Sequence, residues 1–161
     1  MDKSGQERRQ YTRFDTEVKI YYRVNYDIKT KVRFRLIDKT KNLIMPPSYF
    51  ALSKNVSAQG VCFSSERKLN KGDLLHIEIY LPAQKEPVRM EGEVCWSHHL
   101  KGDEDKKKIY AGVKLITVEG KSVADSIYFD EEYKVVWSVV LDSIFGSFRK
   151  ISQNKNIHEK S

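Results

Sequence analysis

The sequence predicts a mainly β protein: a six-stranded antiparallel β-barrel with an added β-hairpin and a C-terminal α-helix. Several short segments alternate apolar and polar residues, which is the period of a half-buried strand. Turn-forming residues separate these segments at near-regular spacing, as is typical of a small barrel. Near residue 130 the apolar spacing becomes helical. We expect the sheet to close, because a closed barrel leaves no exposed strand edges.

The predicted strands lie between residues 16 and 115. In Thr16–Val24 and Lys31–Leu36, apolar side chains alternate with polar or charged ones. In Val88–Trp96 the same alternation places Val94 and Trp96 on one predicted inward face. The remaining predicted strands are Leu43–Met45, Ser48–Lys54, Val61–Ser64, Leu74–Leu81 and Ile109–Leu115.

Two features predict helical structure after residue 118. Ser122-Val123-Ala124-Asp125 resembles a capping box and predicts a short helical turn. Acidic residues begin at Asp130, and Arg149 and Lys150 follow at the other end, as a helix dipole prefers, so we expect a helix over about 130–150. Its apolar stripe covers more than half of the circumference, so the helix either packs on the barrel alone or also contacts another protein or, as a homodimer, a second copy.

The chain has 161 residues, enough for one domain with its own core. We expect a single domain over residues 7–150, with the barrel over about 14–118. The polar ends, 1–6 and 151–161, are predicted to be disordered.

The composition excludes several classes of function. No apolar run approaches the roughly 20 residues that span a bilayer, and the N-terminal residues are too polar for a secretory signal. Cys62 and Cys95 form no disulfide framework or metal motif, so we expect reduced thiols in a cytoplasmic protein. Histidines at metal-ligand spacing and Gly-rich phosphate loops are absent, so we expect no catalytic residues, metal or cofactor. The net charge of +7 favours an anionic partner without identifying it.

A basic arm precedes the first predicted strand. Arg8, Arg9 and Arg13 fall within six residues of one another. The guanidinium group is a planar fork of donors that fits a phosphate, or the O6/N7 edge of a guanine, with two hydrogen bonds. The arm therefore suits a small anionic guanine ligand.

A loop with turn chemistry follows the strand Ser48–Lys54. Asn55 and Ser57 are two residues apart, so their side chains leave the same face of an extended chain and offer donors and acceptors. Gly60 permits a positive φ and a close approach of a ligand to the backbone. We interpret Asn55, Ser57 and Gly60 as a ligand-binding corner.

The arm and the loop together resemble the PilZ domain family of bacterial cyclic di-GMP receptors. Arg9-Gln10-Tyr11-Thr12-Arg13 matches the family's RxxxR arm, and Asn55-Val56-Ser57-Ala58-Gln59-Gly60 matches its D/NxSxxG loop. Ala111-Gly112-Val113-Lys114-Leu115 is similar to the family's closing strand, so the resemblance covers about residues 7–118. It implies a non-catalytic signalling receptor that binds cyclic di-GMP between arm and barrel.

The chain departs from the family pattern at two places. Asn55 stands where Asp is more usual, and a neutral amide accepts hydrogen bonds more weakly than a carboxylate. The segment Asn25–Pro47 is longer than the usual first hairpin connection. We interpret it as an added hairpin that marks a subfamily or a partner surface.

The resemblance also implies how the ligand is held. Arg9 and Arg13 would hold phosphates and the Hoogsteen edge of a guanine, while Asn55 and Ser57 would contact the opposite guanine edge or the sugar–phosphate. Arg8 would stack on a base or hold a second ligand. Closure of the arm would then signal to an unidentified protein effector.

Two other functions fit parts of the pattern. A single-stranded nucleic-acid-binding barrel would use the basic arm, the tyrosines and the outward row Lys31, Arg33 and Arg35. Against nucleic acid, the tyrosines do not cluster on one predicted face. The third reading is a PilZ-like interaction adaptor that no longer binds ligand, against which the intact arginine pair argues.

Overall fold

The computed structural model describes residues 25–82, 84–99, 107–131 and 134–146. A 3₁₀ turn occupies Ala124–Ser126, and the described part of the one α-helix in these ranges, α1, is residues 139–146. In chain order the strands are β1 (Tyr26–Asp27), β2 (Lys31–Asp38), β3 (Leu43–Ile44), β4 (Tyr49–Val56), β5 (Gly60–Ser65), β6 (Leu74–Ile79), β7 (Val88–His98), β8 (Ile109–Val118), β9 (Lys121–Ser122), β10 (Tyr128–Asp130) and β11 (Val135–Trp137).

Six of these strands pair in a ring, in the order β4, β5, β8, β7, β6 and β2. All neighbours are antiparallel, and β2 closes the ring because it pairs with β6 along one edge and with β4 along the other. The predicted six-stranded antiparallel barrel is therefore confirmed. The short strands β1, β3 and β9 add to its edges, and β10 and β11 form a separate hairpin.

Alternating side chains fill the barrel with one hydrophobic core. Alternation in Lys31–Leu36 predicts that Val32, Phe34 and Leu36 point inward; Val32 and Phe34 are fully buried, and Leu36 is partly buried against the same core. The ring of Phe34 packs against Phe63 of β5, with 5.1 Å between centroids. Burial of side chains of this size contributes about 1.5–3 kcal/mol each, so this core dominates the stability of the barrel.

The predicted inward orientation of Trp96 is wrong. Val94 is fully buried as expected, but the β7–β8 register shifts between Val94 and Trp96. Cys95 is the extra residue of a β-bulge, and a bulge moves every following side chain to the opposite face. Trp96 consequently lies on the outer face and is 37% exposed.

The segment Asn25–Pro47 contains the predicted hairpin, because Ile37 and Asp38 of β2 pair with β3. Its first strand is more than an addition, since β2 is also one of the six barrel strands. The predicted strand Thr16–Val24 lies outside the described residues.

The predicted start of the C-terminal helix at Asp130 is wrong. Asp130 is buried in β10, which pairs with β11, and Lys134 has a φ of 57° in the turn between them. Asp130 and Glu131 therefore belong to a hairpin, and β-branched residues of β11 favour a strand. The helix begins after Ser138, whose hydroxyl accepts a hydrogen bond from the Val140 backbone N–H at 3.1 Å.

The start of α1 packs on the barrel. Val140 and Leu141 are fully buried and belong to the core. Tyr26 of β1 contacts the rings of Trp137 and Phe145, at centroid distances of 6.3 and 5.5 Å. Among the described residues, no helix has the length and apolar character needed to cross a membrane. Homodimer formation through this helix stays a prediction.

The predicted helical turn near Ser122 is confirmed in the 3₁₀ turn Ala124–Ser126. The Ser122 hydroxyl accepts a hydrogen bond from the Asp125 backbone N–H at 3.3 Å, but the N-cap of the turn is Val123, so Ser122 does not act as the predicted capping-box residue. This turn closes the connection from β9 to β10.

Gly92→Ala is expected to lower the free energy of unfolding by about 1–3 kcal/mol. A Cβ added at Gly92 would lie 2.6 Å from both the Lys114 carbonyl oxygen and the Val113 Cγ1, so β7 and β8 would have to separate. Urea denaturation followed by tryptophan fluorescence measures the change.

Gly146→Ala is the matched control for this substitution. A Cβ there meets no atom within 4 Å, and the residue lies in α1, so stability should hold or rise by up to about 1 kcal/mol. A Gly92→Ala variant as stable as the wild type would contradict the tight β7–β8 contact.

Candidate functional site

A groove of about 540 Å³ lies on the outer face of the barrel, within the size range of small-molecule sites. Strand register places it, because Asn55 pairs with Cys62, Cys62 with Gly112, and Gly112 with Trp96. These four residues form a row across β4, β5, β8 and β7. The lining residues are Asn25, Lys54, Asn55, Ser57, Gln59, Gly60, Val61, Cys62, Cys95, Trp96, Gly112, Val113 and Lys114.

The structure brings together the three predicted loop residues. Asn55, Ser57 and Gly60 all line the groove, whereas Val56 between the first two is fully buried. A β-bulge at Lys54 makes this possible, because the β4–β5 register shifts between Ser53 and Asn55. Without that extra residue Asn55 would point into the core.

Ser57 shapes the loop through its own side chain. Its hydroxyl oxygen accepts hydrogen bonds from the backbone N–H groups of Gln59 at 3.4 Å and Gly60 at 3.2 Å. Its backbone N–H donates to the Gly60 carbonyl oxygen at 2.9 Å. The acceptor side of the hydroxyl is thus used within the turn, and the hydroxyl proton is the part suited to a ligand oxygen.

The structure gives a reason for glycine at position 60 other than a positive φ, and the close approach of a ligand to its backbone stays a prediction. Among the described glycines, positive φ occurs at Gly72 and Gly120 and not at Gly60. A Cβ added at Gly60 would lie 2.6 Å from the Val113 carbonyl oxygen. Glycine is therefore required by the close approach of β5 to β8.

Two hydrogen bonds attach the loop to neighbouring elements. The Ser138 hydroxyl donates to the Ala58 carbonyl oxygen at 2.6 Å, and these two residues are 80 positions apart in the sequence. The Leu115 N–H donates to the Gln59 carbonyl oxygen at 2.8 Å. Ser138 is fully buried at the start of α1, so the loop is directly coupled to the helix.

Trp96 is a site residue that the sequence analysis missed. Its indole lies flat over Gly112, where any Cβ would collide with the ring. The ring also stacks with His98, with 4.8 Å between ring centroids and 28° between planes. Gly112 opposite an aromatic residue is the signal in the sequence, but only the bulge at Cys95 puts the ring outside.

Both thiols of the chain line the groove and both are free. Cys62 is buried, and burial raises the pKa of its thiol, while the nearby Lys54 partly opposes that increase. Cys95 is exposed. Within the described ranges, no three His, Cys, Asp or Glu side chains cluster closely enough to hold a metal ion.

The groove is positively charged. Lys54 and Lys114 are among its lining residues, and no Asp or Glu of the described structure is. The Lys54 ammonium also lies 4.9 Å from the centroid of the Tyr110 ring. Cations without carboxylate partners in the lining favour an anionic ligand.

The three predicted arginines, Arg8, Arg9 and Arg13, lie outside the described residues. Asn25, where the described chain starts, lines the groove beside Asn55. Arg13 precedes Asn25 by 12 residues, a length that reaches up to about 40 Å when extended. The chain is therefore long enough to bring Arg13 to the groove.

The closed barrel and the cationic groove on its outer face, which has the size of a small-molecule site, are typical of a small binding module. The family model of the PilZ domain matches residues 7–129, and the chain belongs to the PilZ domain family. PilZ domains are binding and adaptor modules, a family of cyclic di-GMP receptors that also bind effector proteins. No curated protein matches the chain.

The two thiols are expected to differ in reactivity. Iodoacetamide should alkylate Cys95 quickly at neutral pH and Cys62 slowly, because Cys62 is buried and its raised pKa keeps it protonated. The Cys62 rate should keep increasing at pH values above the ordinary thiol range. Mass spectrometry of the Cys95→Ser and Cys62→Ser variants follows each thiol alone.

Alkylation in concentrated urea is the control, since both thiols should then react alike. Equal rates for the two thiols in the folded protein would contradict the burial of Cys62 in the groove wall.

Proposed function

We propose that this protein is a cyclic di-GMP receptor that binds its ligand in the groove beside Asn55 and passes the signal to a protein partner. The observation that carries the proposal is the groove itself, which contains Asn55, Ser57 and Gly60, is lined by lysines, and has Asn25 at its edge. The ligand is a dianion with two guanines, so both its charge and its flat bases need partners there.

Each polar group of the groove suits a part of this ligand. The Asn55 amide can donate to and accept from a guanine edge, and the Ser57 hydroxyl can donate to a phosphate or sugar oxygen. Lys54 and Lys114 add positive charge for the phosphates. Because Asn55 is uncharged, its bonds to guanine N–H groups lack the charge assistance that a carboxylate would give.

The basic arm completes the proposed site. Arg9 and Arg13 hold a phosphate and a guanine Hoogsteen edge as bidentate donors. Arg8 stacks on a base or holds a second ligand molecule. The arm supplies charge that the groove lacks, since only two lysines of the described residues line it.

The outer face of Trp96 offers a surface for one guanine. The ring is exposed and held flat on Gly112, so its orientation is set before a ligand arrives. Base–aromatic stacking of this kind contributes about 1–3 kcal/mol. A guanine in this position either replaces His98 on the ring or extends the stack at its edge.

The hydrogen bond from Ser138 to Ala58 gives the signal a route to α1. A ligand that contacts Asn55 and Ser57 shifts the Ala58 carbonyl, to which the first turn of the helix is attached. The helix surface then changes with ligand occupancy, and an effector that contacts it responds. Coupling of this kind requires that ligand and effector favour the same arrangement of the loop.

The outward row Lys31, Arg33 and Arg35 gives little support to nucleic-acid binding. The Arg33 Nε donates to Glu78 at 2.7 Å, and this hydrogen bond is the main cause of its raised pKa. Arg35 lies 4.0 Å from the same carboxylate, which is almost completely buried. Arg33 is therefore paired with Glu78, and Arg35 shares the field of that one carboxylate.

Arg13→Ala is expected to weaken cyclic di-GMP binding by about 5- to 150-fold, the effect of losing one bidentate arginine contact. Isothermal titration of the full chain measures it, with GTP as the control ligand. Arg67→Ala removes the same charge beyond the end of β5, outside the groove lining, and should bind as the wild type does. Unchanged affinity in Arg13→Ala would exclude Arg13 from the site, and no binding by the wild type would overturn the receptor proposal.

Trp96→Ala is expected to weaken the same binding by roughly 5- to 150-fold if the indole stacks on a guanine. Phe50→Ala removes an exposed ring outside the groove and serves as the control. In the wild type, ligand should also quench tryptophan fluorescence through Trp96, since Trp137 is buried. An affinity that Trp96→Ala leaves intact would remove stacking from the mechanism.

A further inference from the structure

A second groove, of about 670 Å³, lies on the outer face of the barrel over β4 and the end of β5. Phe50 and Leu52 line it and are 61% and 57% exposed, the largest exposures among the exposed large apolar side chains of the described residues. Neither belongs to the groove beside Asn55. This second groove is called the β4 groove below.

The side chains of β4 are inverted relative to an ordinary half-buried strand. The large apolar residues Phe50 and Leu52 point outward, while the small residues Ala51 and Ser53 are buried. Ser53 is held inward because its hydroxyl donates to the Ile28 carbonyl oxygen at 2.6 Å and accepts from the Thr30 N–H at 2.9 Å. Large apolar side chains on the solvent face of a strand are typical of an interaction surface.

Cations surround this apolar strip. Lys31, Arg67 and Lys108 line the β4 groove, against a single acidic lining residue, Glu66. Within the described part of the chain, none of these three cations forms an ion pair with a carboxylate. The groove therefore offers unneutralised positive charge beside exposed apolar surface, and its complement is an acidic, partly apolar ligand.

Cations lie over the aromatic rings of this groove. Arg67 lies over Tyr49 at 4.8 Å, and Phe34 stacks beneath that ring at 5.4 Å. Lys31 lies 4.8 Å from the centroid of Phe50 and 5.5 Å from that of Tyr80. Phe50 is the one exposed aromatic ring among the lining residues, whereas single-strand nucleic-acid sites stack successive bases on several rings, so the lining favours a peptide over a nucleic acid.

A second copy of the chain is a poor occupant. It carries the same net charge of +7, so bringing two of these cationic surfaces together is repulsive. Most of the β4 backbone is already paired, because Tyr49–Leu52 is hydrogen-bonded to β2 and the ladder to β5 runs from Leu52 to Val56. The occupant is therefore recognised mainly by side chains.

We propose that the β4 groove docks an acidic segment of a partner protein that carries a bulky apolar side chain. The apolar side chain packs on Phe50 and Leu52, and flanking carboxylates bind Lys31, Arg67 and Lys108. The proposal does not depend on cyclic di-GMP, since no residue of the β4 groove lines the groove beside Asn55. Its test is accordingly run without that ligand.

The probe is a fluorescein-labelled hexapeptide with a Leu-Phe pair between two glutamates on each side, titrated with the full chain and followed by fluorescence anisotropy. Saturable binding with a dissociation constant below about 1 mM is expected. The double variant Phe50→Ser, Leu52→Ser should bind at least about fivefold more weakly. The double variant Leu43→Ser, Ile116→Ser is the matched control, because it removes two exposed apolar residues outside the groove and should bind normally.

Four further measurements decide between occupants. The same peptide with lysine for glutamate should not bind, and added salt should weaken the acidic peptide. A thymidine hexanucleotide that binds more tightly than the peptide, and loses affinity in the Phe50→Ser, Leu52→Ser variant, would overturn the proposal in favour of nucleic acid. A wild-type dimer that this variant dissociates in sedimentation equilibrium would overturn it in favour of a second copy. Absence of saturable peptide binding, or equal binding by both double variants, also overturns it.

Discussion

Two interruptions of strand alternation determine what the outer face of this barrel can bind. In a regular strand side chains alternate strictly, so a residue that follows a buried position by two would be buried as well. The extra residues Lys54 in β4 and Cys95 in β7 break that rule at two strands on opposite sides of the groove. Asn55 and Trp96 point outward as a result. The two side chains lie on either side of β5 and β8, where both could contact one ligand.

Two glycines, Gly60 and Gly112, allow the close contacts that shape the groove between β4 and β7. At Gly60 the backbone of β5 approaches the Val113 carbonyl oxygen too closely for any side chain, and at Gly112 the indole of Trp96 occupies the volume of a Cβ. The contact at Gly60 limits how far the loop can move from β8, and the contact at Gly112 limits how the Trp96 ring can turn. The site is thus preorganised by backbone contacts, which lowers the entropy lost when a ligand orders its surroundings.

The parts of the structure that depend on regular periodicity could be predicted from the sequence, and the parts that depend on a single irregular residue could not. Alternation in β2 gave the right buried residues, Val32 and Phe34, and the spacing of Asn55 and Ser57 gave a shared face. The alternation of apolar and polar residues does not reveal the β-bulge at Cys95, so the sequence predicted the wrong face of the sheet for Trp96.

The prediction of the helix start at Asp130 was wrong for a related reason. Negative charge at Asp130 resembled a helix N-terminus, whereas the N-cap is Ser138, whose hydroxyl bonds the Val140 N–H. A serine before an apolar run was available in the sequence as a signal. It was outweighed by charge because the β10–β11 hairpin, which buries Asp130, depends on a pairing that is invisible in local composition.

The attachment of the loop at both of its central carbonyls limits how a bound ligand can act on the rest of the molecule. Ala58 is bonded to Ser138, and Gln59 to Leu115, so the loop cannot move as an independent flap without breaking a buried hydrogen bond. An unpaired buried group costs about 1–3 kcal/mol, which is comparable to the coupling energy of many allosteric proteins. Loop, β8 and α1 should therefore shift together or not at all, and under the proposed function this concerted movement would carry the presence of a ligand at Asn55 to a partner that contacts α1.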